Sequence, residues 1–432
     1  MAKVGIAGAG AMGLAAAWHA ATAGHQVTVY EADSVPGGMA AHFDFGGLSI
    51  ERFYHFVCKA DRPTFDLMAA LGIGDRMRWV DTSMGYYIDG KHYPWGDPVS
   101  LLKFPLMSLW QKFRYGFAAF RQTKQKSFEH LENLNARDWI IRDFGQDNYD
   151  LMWKRLLELK FYEYTGNISA AWIATRIKRV GTSRKSMFQE QLGHIDGGSQ
   201  TLVDALVRGI EDLGGEIRLG TPVREIVSED GQVTGIRTDA GTDAFDAVIS
   251  TVPTPLLSGM IPGLTDAEKA AYDAIENIGV VCLLFKLKKS VTPHFWLNVM
   301  DEGIEIPGII QFSNLRPMDD HVVYVPYYMP VTNPKWALSN DALIAEAAGY
   351  LRVLNPDLGE DDIIEAQAGR LTHSQPVCPP GFARMIPPVR TSIAGLQVAD
   401  TCFYYPEDRG ISESARLARE MVGDIPASMG AA

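Results

Sequence analysis

Residues 3–38 read KVGIAGAGAMGLAAAWHAATAGHQVTVYEADSVPGG, and the order of their parts decides the fold. Lys3 to Ala7 is short, apolar and followed by glycine, which predicts a buried parallel strand entering a tight turn. Gly8 permits the turn, Gly10 lets a pyrophosphate approach the backbone, and Gly13 lets the next helix lie close to the strand. An alanine-rich helix is expected from Ala11 to Ala23, stopped by Gly24, with the N–H groups of Ala11 and Met12 in its first turn facing the diphosphate. Gln26 to Tyr30 is then the second strand, and Glu31 follows where a carboxylate accepts hydrogen bonds from both adenosine ribose hydroxyls. A 2′-phosphate would be repelled there, so NADP is disfavoured. A lone G-x-G-x-x-G is a weak signal; strand, helix, strand and acid in this order make it a dinucleotide site.

After the acid, an NAD dehydrogenase usually runs into its next strand and helix, whereas here Ser34 to Gly38 forms a Pro-Gly-Gly turn that favours FAD. From Gly8 through Glu31 and Ala32 to Gly37-Gly38, the chain resembles the amino-terminal signature of the flavin amine oxidase superfamily, which includes protoporphyrinogen oxidases and phytoene desaturases. The resemblance resumes from Gly197-Gly198 through Thr201, Leu206, Gly214-Gly215 and Val223 to Asp246 and Pro253. It closes at Gly395-Leu396, Ala399-Asp400 and, after an insert, Gly410, Ile411, Glu413 and Ser414. The implied fold is α/β, a Rossmann-type FAD-binding domain interwoven with an α+β substrate domain of mixed sheet plus helical insert. Residues 1–60, 190–260 and 390–432 would form the FAD domain and 61–189 with 261–389 the substrate domain, 100–186 being the insert.

The resemblance also implies roles. Gly37, Gly38 and Met39 belong to the loop passing the cofactor, Val223 presents its backbone to the adenine, and Asp400 bonds ribityl or phosphate oxygens. Gly410 and Ile411 begin a helix whose N-terminus points inward. Three catalytic candidates follow. His55 is a hydrogen-bond donor to a flavin carbonyl or a proton carrier, Arg52 holds the substrate or the flavin N1 region, and Tyr405 in Phe403-Tyr404-Tyr405 walls the substrate pocket. Each has a plain structural alternative as a packed residue.

Departures from the family pattern bear on the reaction. Amine oxidases usually carry arginine after the Gly-Gly pair, where this chain has Met39, and a lysine in the strand corresponding to Val280-Val281-Cys282, where none occurs before Lys286. That favours a dehydrogenase or desaturase over an oxidase. The implied activity is hydride removal from a largely apolar or amphipathic small-molecule substrate. A flavin-dependent isomerase resembling UDP-galactopyranose mutase is the alternative, motivated by the basic run Arg176, Lys178, Arg179, Arg184 and Lys185, whose guanidinium groups suit a diphosphate.

The remaining composition sets bounds. With 432 residues, 47% of them hydrophobic, the chain is long enough for two cores, and 40 basic against 52 acidic residues give a net charge of −12 that argues against nucleic acid as a partner. The four cysteines lack metal or disulfide spacing, and no metal site is expected. A reducing cytoplasm is the expected compartment. Leu101 to Phe120, however, mixes aromatic with basic residues, and three readings stay open: a helix pair packed on its own domain, the mouth of an apolar channel, or a peripheral membrane contact. Elsewhere, a hairpin turning at Asp89-Gly90, strands near Val280 to Leu287 and His321 to Tyr328, and a helix near Asn340 to Leu354 are expected.

Overall fold

The structure is a computed structural model and describes residues 1–425; residues 426–432 of the expected last FAD segment lie outside the described residues. The opening motif folds as its composition dictates. Lys3–Ala7 is a strand, Ala11–Thr22 a helix and Gln26–Tyr30 the parallel neighbour of the first strand. Three more distant segments complete this sheet, Glu216–Arg218 beside Gln26–Tyr30, Ala247–Ser250 on the other side, and Leu396–Val398 at the far edge. All five strands run parallel, the arrangement that needs both faces covered.

Side chains alternate across that sheet to meet two different covers. Val4, Ile6, Val27, Val29 and Ile249 face a layer made by helices Ala11–Thr22, Ser199–Asp212 and Ile411–Gly423. Tyr30, Val248, Leu396 and Val398 face the antiparallel meander Glu225–Glu229, Gln232–Thr238 and Gly241–Ala244. Gly5 lies under the meander because a Cβ there would sit 2.7 Å from Ile236 and 2.8 Å from Phe245.

The second sheet has seven strands, and its longest-paired strand, Asn277–Leu287, lies between the edge strand Ile363–Pro376 and His321–Met329. The hairpin Met84–Ile88 and Lys91–Trp95 lies at its other edge, turning at Asp89 and Gly90, both with left-handed φ (51° and 71°) as the Asp-Gly sequence requires. Both faces of Asn277–Leu287 are apolar. Val281, Leu283 and Phe285 bury against helix Asn340–Leu354, while Val280, Cys282 and Leu284 face the helical insert. The insert itself comprises Pro98–Lys103, Leu109–Lys124, Ala136–Phe144, Gln146–Met152, Lys154–Phe161 and Ala170–Thr182. Pro105 lies between the first two of these, so the basic aromatic stretch is two helices rather than one continuous segment.

Candidate functional site

A cavity of about 1960 Å³ runs from the parallel sheet into the space between the seven-stranded sheet and the insert. At the first end its wall is backbone. Helices Ala11–Thr22 and Ile411–Gly423 both begin on it, and their N-cap residues, Gly10 and Gly410, offer no side chain to the first-turn N–H groups. Two uncapped helix N-termini on one cavity are a ready site for a diphosphate. Nothing lies within 4 Å of the place a Gly10 Cβ would occupy, whereas one on Gly13 would stand 1.9 Å from the Gly8 carbonyl oxygen. Gly10 therefore leaves space for a ligand, and Gly13 keeps helix and turn in contact, the division of labour expected from their spacing. Gly8, at φ 101°, takes a conformation that costs only glycine nothing.

Glu31 lies at the end of Gln26–Tyr30. Its Oε2 accepts the Ala9 N–H at 2.7 Å and its Oε1 the Asp33 N–H at 2.9 Å, so the carboxylate is fixed in place with lone pairs left for a ribose. Ala11, Met12, Ala32, Gly37, Gly38, Met39 and Val223 share this wall. Asp400 reaches it too, while joining two distant segments. Its carboxylate accepts the Thr254 N–H at 2.6 Å and the Cys402 N–H at 2.8 Å. These residues fit FAD: an acid for the adenosine, uncapped helix ends for the diphosphate, and a cavity that continues past them with room for a three-ring system.

The candidates for the chemistry fare differently. His55 lines the cavity, and its Nδ1 is buried without a hydrogen-bond partner among the described residues. Burial pushes its pKa below the ordinary histidine value, with the nearby Glu51 opposing, so the ring is neutral near pH 7. Arg52 lines the cavity too. Its guanidinium is held at 2.5 Å by Asp33, two residues beyond Glu31, which ties it to the nucleotide loop. Tyr405 is a correction: it stays off the cavity wall, its hydroxyl bound to Ser169 Oγ at 2.7 Å and Glu132 Oε2 at 2.6 Å, its ring packed on Phe382. Tyr404 takes the wall position instead.

The basic run Arg176 to Lys185 also disperses. Arg179 forms a two-pronged pair with Asp61, Arg184 donates to the Gly181 and Gly96 carbonyls, and Lys185 pairs with Asp81 at 3.3 Å. Arg176, Arg179, Arg184 and Lys185 nonetheless all line the cavity, so the run contributes to its wall with most of its charge already engaged by protein groups. Lys286 is absent from the wall, donating to the Gly46 carbonyl at 3.0 Å and pairing with Asp320 at 3.2 Å.

Sequence reasoning assigned no role to several residues, Glu51 and Tyr54 of the stretch ending at His55 among them. Glu51, buried on the cavity wall, caps helix Ser199–Asp212 through the Ser199 N–H at 3.0 Å and pairs with Arg316 at 3.2 Å and His42 at 3.4 Å. Burial alone would raise its carboxyl; the His42 and Arg316 contacts overcome that and hold it down at about 2. Tyr54 and Tyr328 meet hydroxyl to hydroxyl at 3.0 Å, and Arg409 donates to Tyr328 at 3.1 Å. The position of Arg409 directly before Gly410 was the available signal. Tyr54 stacks edge-on against Trp296, and with Tyr86, Trp95, Phe144 and Phe295 these rings make the far chamber apolar.

At the mouth, helix Leu109–Lys124 turns Tyr115, Ala118 and Gln122 inward and leaves its aromatic stripe outside. Trp110, Phe113 and Phe117 are 67%, 64% and 59% exposed and stack in series, with Phe120 on the cavity rim. The helix thus packs on Ala170–Thr182 and Ala136–Phe144 of its own insert, as a helix pair on its own domain would, and leaves this aromatic stripe uncovered. No helix among the described residues is long and apolar enough to cross a membrane.

Known proteins match this architecture. The chain is 26% identical over 281 residues to a 15-cis-phytoene desaturase of Arabidopsis thaliana, covering 60% of this chain and 49% of that one, so it spans about half the length of such relatives. Among solved structures, one described as a protoporphyrinogen oxidase from Exiguobacterium sp. 255-15 superposes with a TM-score of 0.75 at 18% identity, covering 98% of each chain. Reduced UDP-galactopyranose mutase gives 0.73 at 17% identity, over 98% of this chain and 95% of that one. At such identities the superpositions speak for the fold alone. Residues 13–377 match the profile of the flavin containing amine oxidoreductases, and with that span and this cradle the chain belongs to that family, with FAD as its cofactor.

Proposed function

We propose that the protein is an FAD-dependent oxidoreductase of the dehydrogenase or desaturase kind, removing hydride from a largely apolar or amphipathic substrate that it meets at a lipid surface. The observation that carries this is the single cavity joining the nucleotide cradle to an aromatic chamber with an apolar rim. Bound FAD would supply the hydride acceptor. The chain's own residues do the rest. Tyr86, Trp95, Phe295 and Trp296 exclude water and hold an apolar body in one orientation. His55, neutral and on the cavity wall, takes the proton that leaves when a C–H bond gives up hydride and a neighbouring C–H ionises. The lack of a wall-lining lysine on strand Asn277–Leu287 supports a dehydrogenase or desaturase rather than an oxidase.

The outward stripe Trp110, Phe113 and Phe117 supports lipid contact, since rings of that size exposed in a row are unusual without a partner. Lys103, Lys112, Arg121 and Lys124 on the same two helices match an anionic bilayer, against a chain whose net charge is −12. Nucleotide-sugar isomerisation has less support now that Arg179, Arg184 and Lys185 are engaged elsewhere. The test is anaerobic bleaching of the FAD-loaded protein against amines, porphyrinogens, polyprenoids and nucleotide sugars. Bleaching by an apolar compound is expected. Turnover of a nucleotide sugar only after prior flavin reduction would replace this reading with the isomerase.

A further inference from the structure

One corner of the chamber carries more positive charge than the protein neutralises. Lys160, on helix Lys154–Phe161, and Arg176, on helix Ala170–Thr182, both ride the Trp172 ring, at 5.4 and 3.9 Å from its centroid. Lys160 and Arg409 likewise share the Tyr328 ring, at 4.7 and 5.4 Å. Three basic side chains thus converge on two aromatic rings, and all three line the cavity. The carboxylate that faces them is Asp408, bonded to Arg176 at 2.5 Å.

The hydrogen-bond count shows which donors remain. Arg409 gives Nη1 to the Ser374 carbonyl and hydroxyl and Nη2 to Tyr328. Arg176 spends one N–H on Asp408. Lys160 has no hydrogen-bond or ion-pair partner among the described residues, only the surrounding rings. Burial, then the proximity of Arg176, pushes the Lys160 amine well below the ordinary lysine range. Asp408 shows the complementary effect: burial would raise it, but Arg176, Lys160 and Arg409 hold it down at about 2. A buried amine with no anion beside it gives up its proton more readily than usual, and an arriving anion favours the protonated form, so the site gains when one binds.

The two helices also present an apolar floor beside these charges. Leu156 and Leu157 lie a turn before Lys160, and Ile173 and Ile177 flank Arg176; all four line the cavity. We propose that Lys160, Arg176 and Arg409 bind the anionic headgroup, a carboxylate or a phosphate, of a substrate whose apolar body lies along Leu156, Leu157, Ile173 and Ile177. This rests on the reading of the chamber as the substrate site and narrows the substrate class to an amphipathic anion.

Titration of the FAD-loaded protein with decanoate, decyl phosphate, decanol and decylammonium, followed by tryptophan fluorescence, tests it. One of the two anions is expected to bind about tenfold or more tighter than decanol, the margin of one charge-assisted hydrogen bond. Which of them prevails identifies the headgroup. Lys160→Met should reduce that margin to about twofold with FAD content unchanged, and Lys160→Arg should restore most of it. Decanol binding as tightly as both anions overturns the proposal and leaves the apolar chamber standing. Failure of every probe to bind overturns both.

Discussion

At the nucleotide end of the cavity the wall is backbone, supplied by Gly8, Gly10, Gly37 and Gly38 within a few dozen residues of one another. At the chamber end it is side chains brought from far apart, Tyr54 meeting Tyr328 across 274 positions. The first end binds through groups that every residue carries, arranged by local conformation; the second through groups that only particular residues carry, arranged by the whole fold. A cofactor site of the first kind tolerates great divergence elsewhere in the chain, whereas a chamber of the second kind changes its preference with a handful of substitutions.

Glycine substitutions break the comparison hardest. Gly13→Ala puts a carbon 1.9 Å from the Gly8 carbonyl, and is expected to cost about 3 kcal/mol of stability together with the bound FAD. Gly10→Val meets no protein atom within 4 Å of the new Cβ, so FAD should be lost while stability stays within about 0.5 kcal/mol of the parent. Flavin absorbance per protein and thermal unfolding measure the pair. If Gly10→Val retains FAD, the diphosphate does not pass this turn.

At the chamber end, His55→Ala should lower the anaerobic flavin reduction rate about a hundredfold with FAD content intact. The acid limb of the parent's rate profile should lie below pH 6.5, because burial lowers the ring's pKa and protonation there removes the proton acceptor. An unchanged rate would leave His55 a packing residue.

The rim comes next in size. Each aromatic inserted into a bilayer contributes about 2 kcal/mol, so the double substitution Trp110→Asp and Phe113→Asp should weaken binding to phosphatidylserine-containing vesicles at least tenfold without lowering stability. Equal sedimentation of parent and variant would remove the lipid surface from the proposed function.

The smallest effect concerns Glu51, the side chain that joins the two ends. Its folded pKa, about 2, lies below the ordinary 4.5, so its stabilisation is fully present above that value and is lost as pH falls from about 4.5 towards 2. Glu51→Gln should flatten the stability slope in that window. A slope identical to the parent's assigns acid unfolding to other carboxylates, Asp408 foremost.

The same contrast explains what was legible in the sequence. The strand, helix, strand and acid of residues 3–31 are set by local periodicity and glycine placement, and the helix Asn340–Leu354 and the Asp89-Gly90 turn announced themselves the same way. Tertiary partners have no such local signature. Nothing near Arg179 or Lys185 indicates that Asp61 and Asp81 neutralise them, and nothing near Tyr405 indicates that Glu132 draws it behind the wall. Lys160 reads as one more helical surface lysine until Trp172 and Tyr328 close around it.

The last strand of the parallel sheet, Leu396–Val398, is followed by Asp400 and the helix Ile411–Gly423, and each supplies part of the cradle. During synthesis, the opening βαβ unit leaves the ribosome long before these pieces exist. Its glycine turn and Glu31 must therefore wait, incomplete, while the seven-stranded sheet and the insert are made. Loading of FAD is therefore expected late in the life of the chain, and a chain truncated before residue 396 lacks the last strand, Asp400 and the helix Ile411–Gly423 and is expected not to hold it.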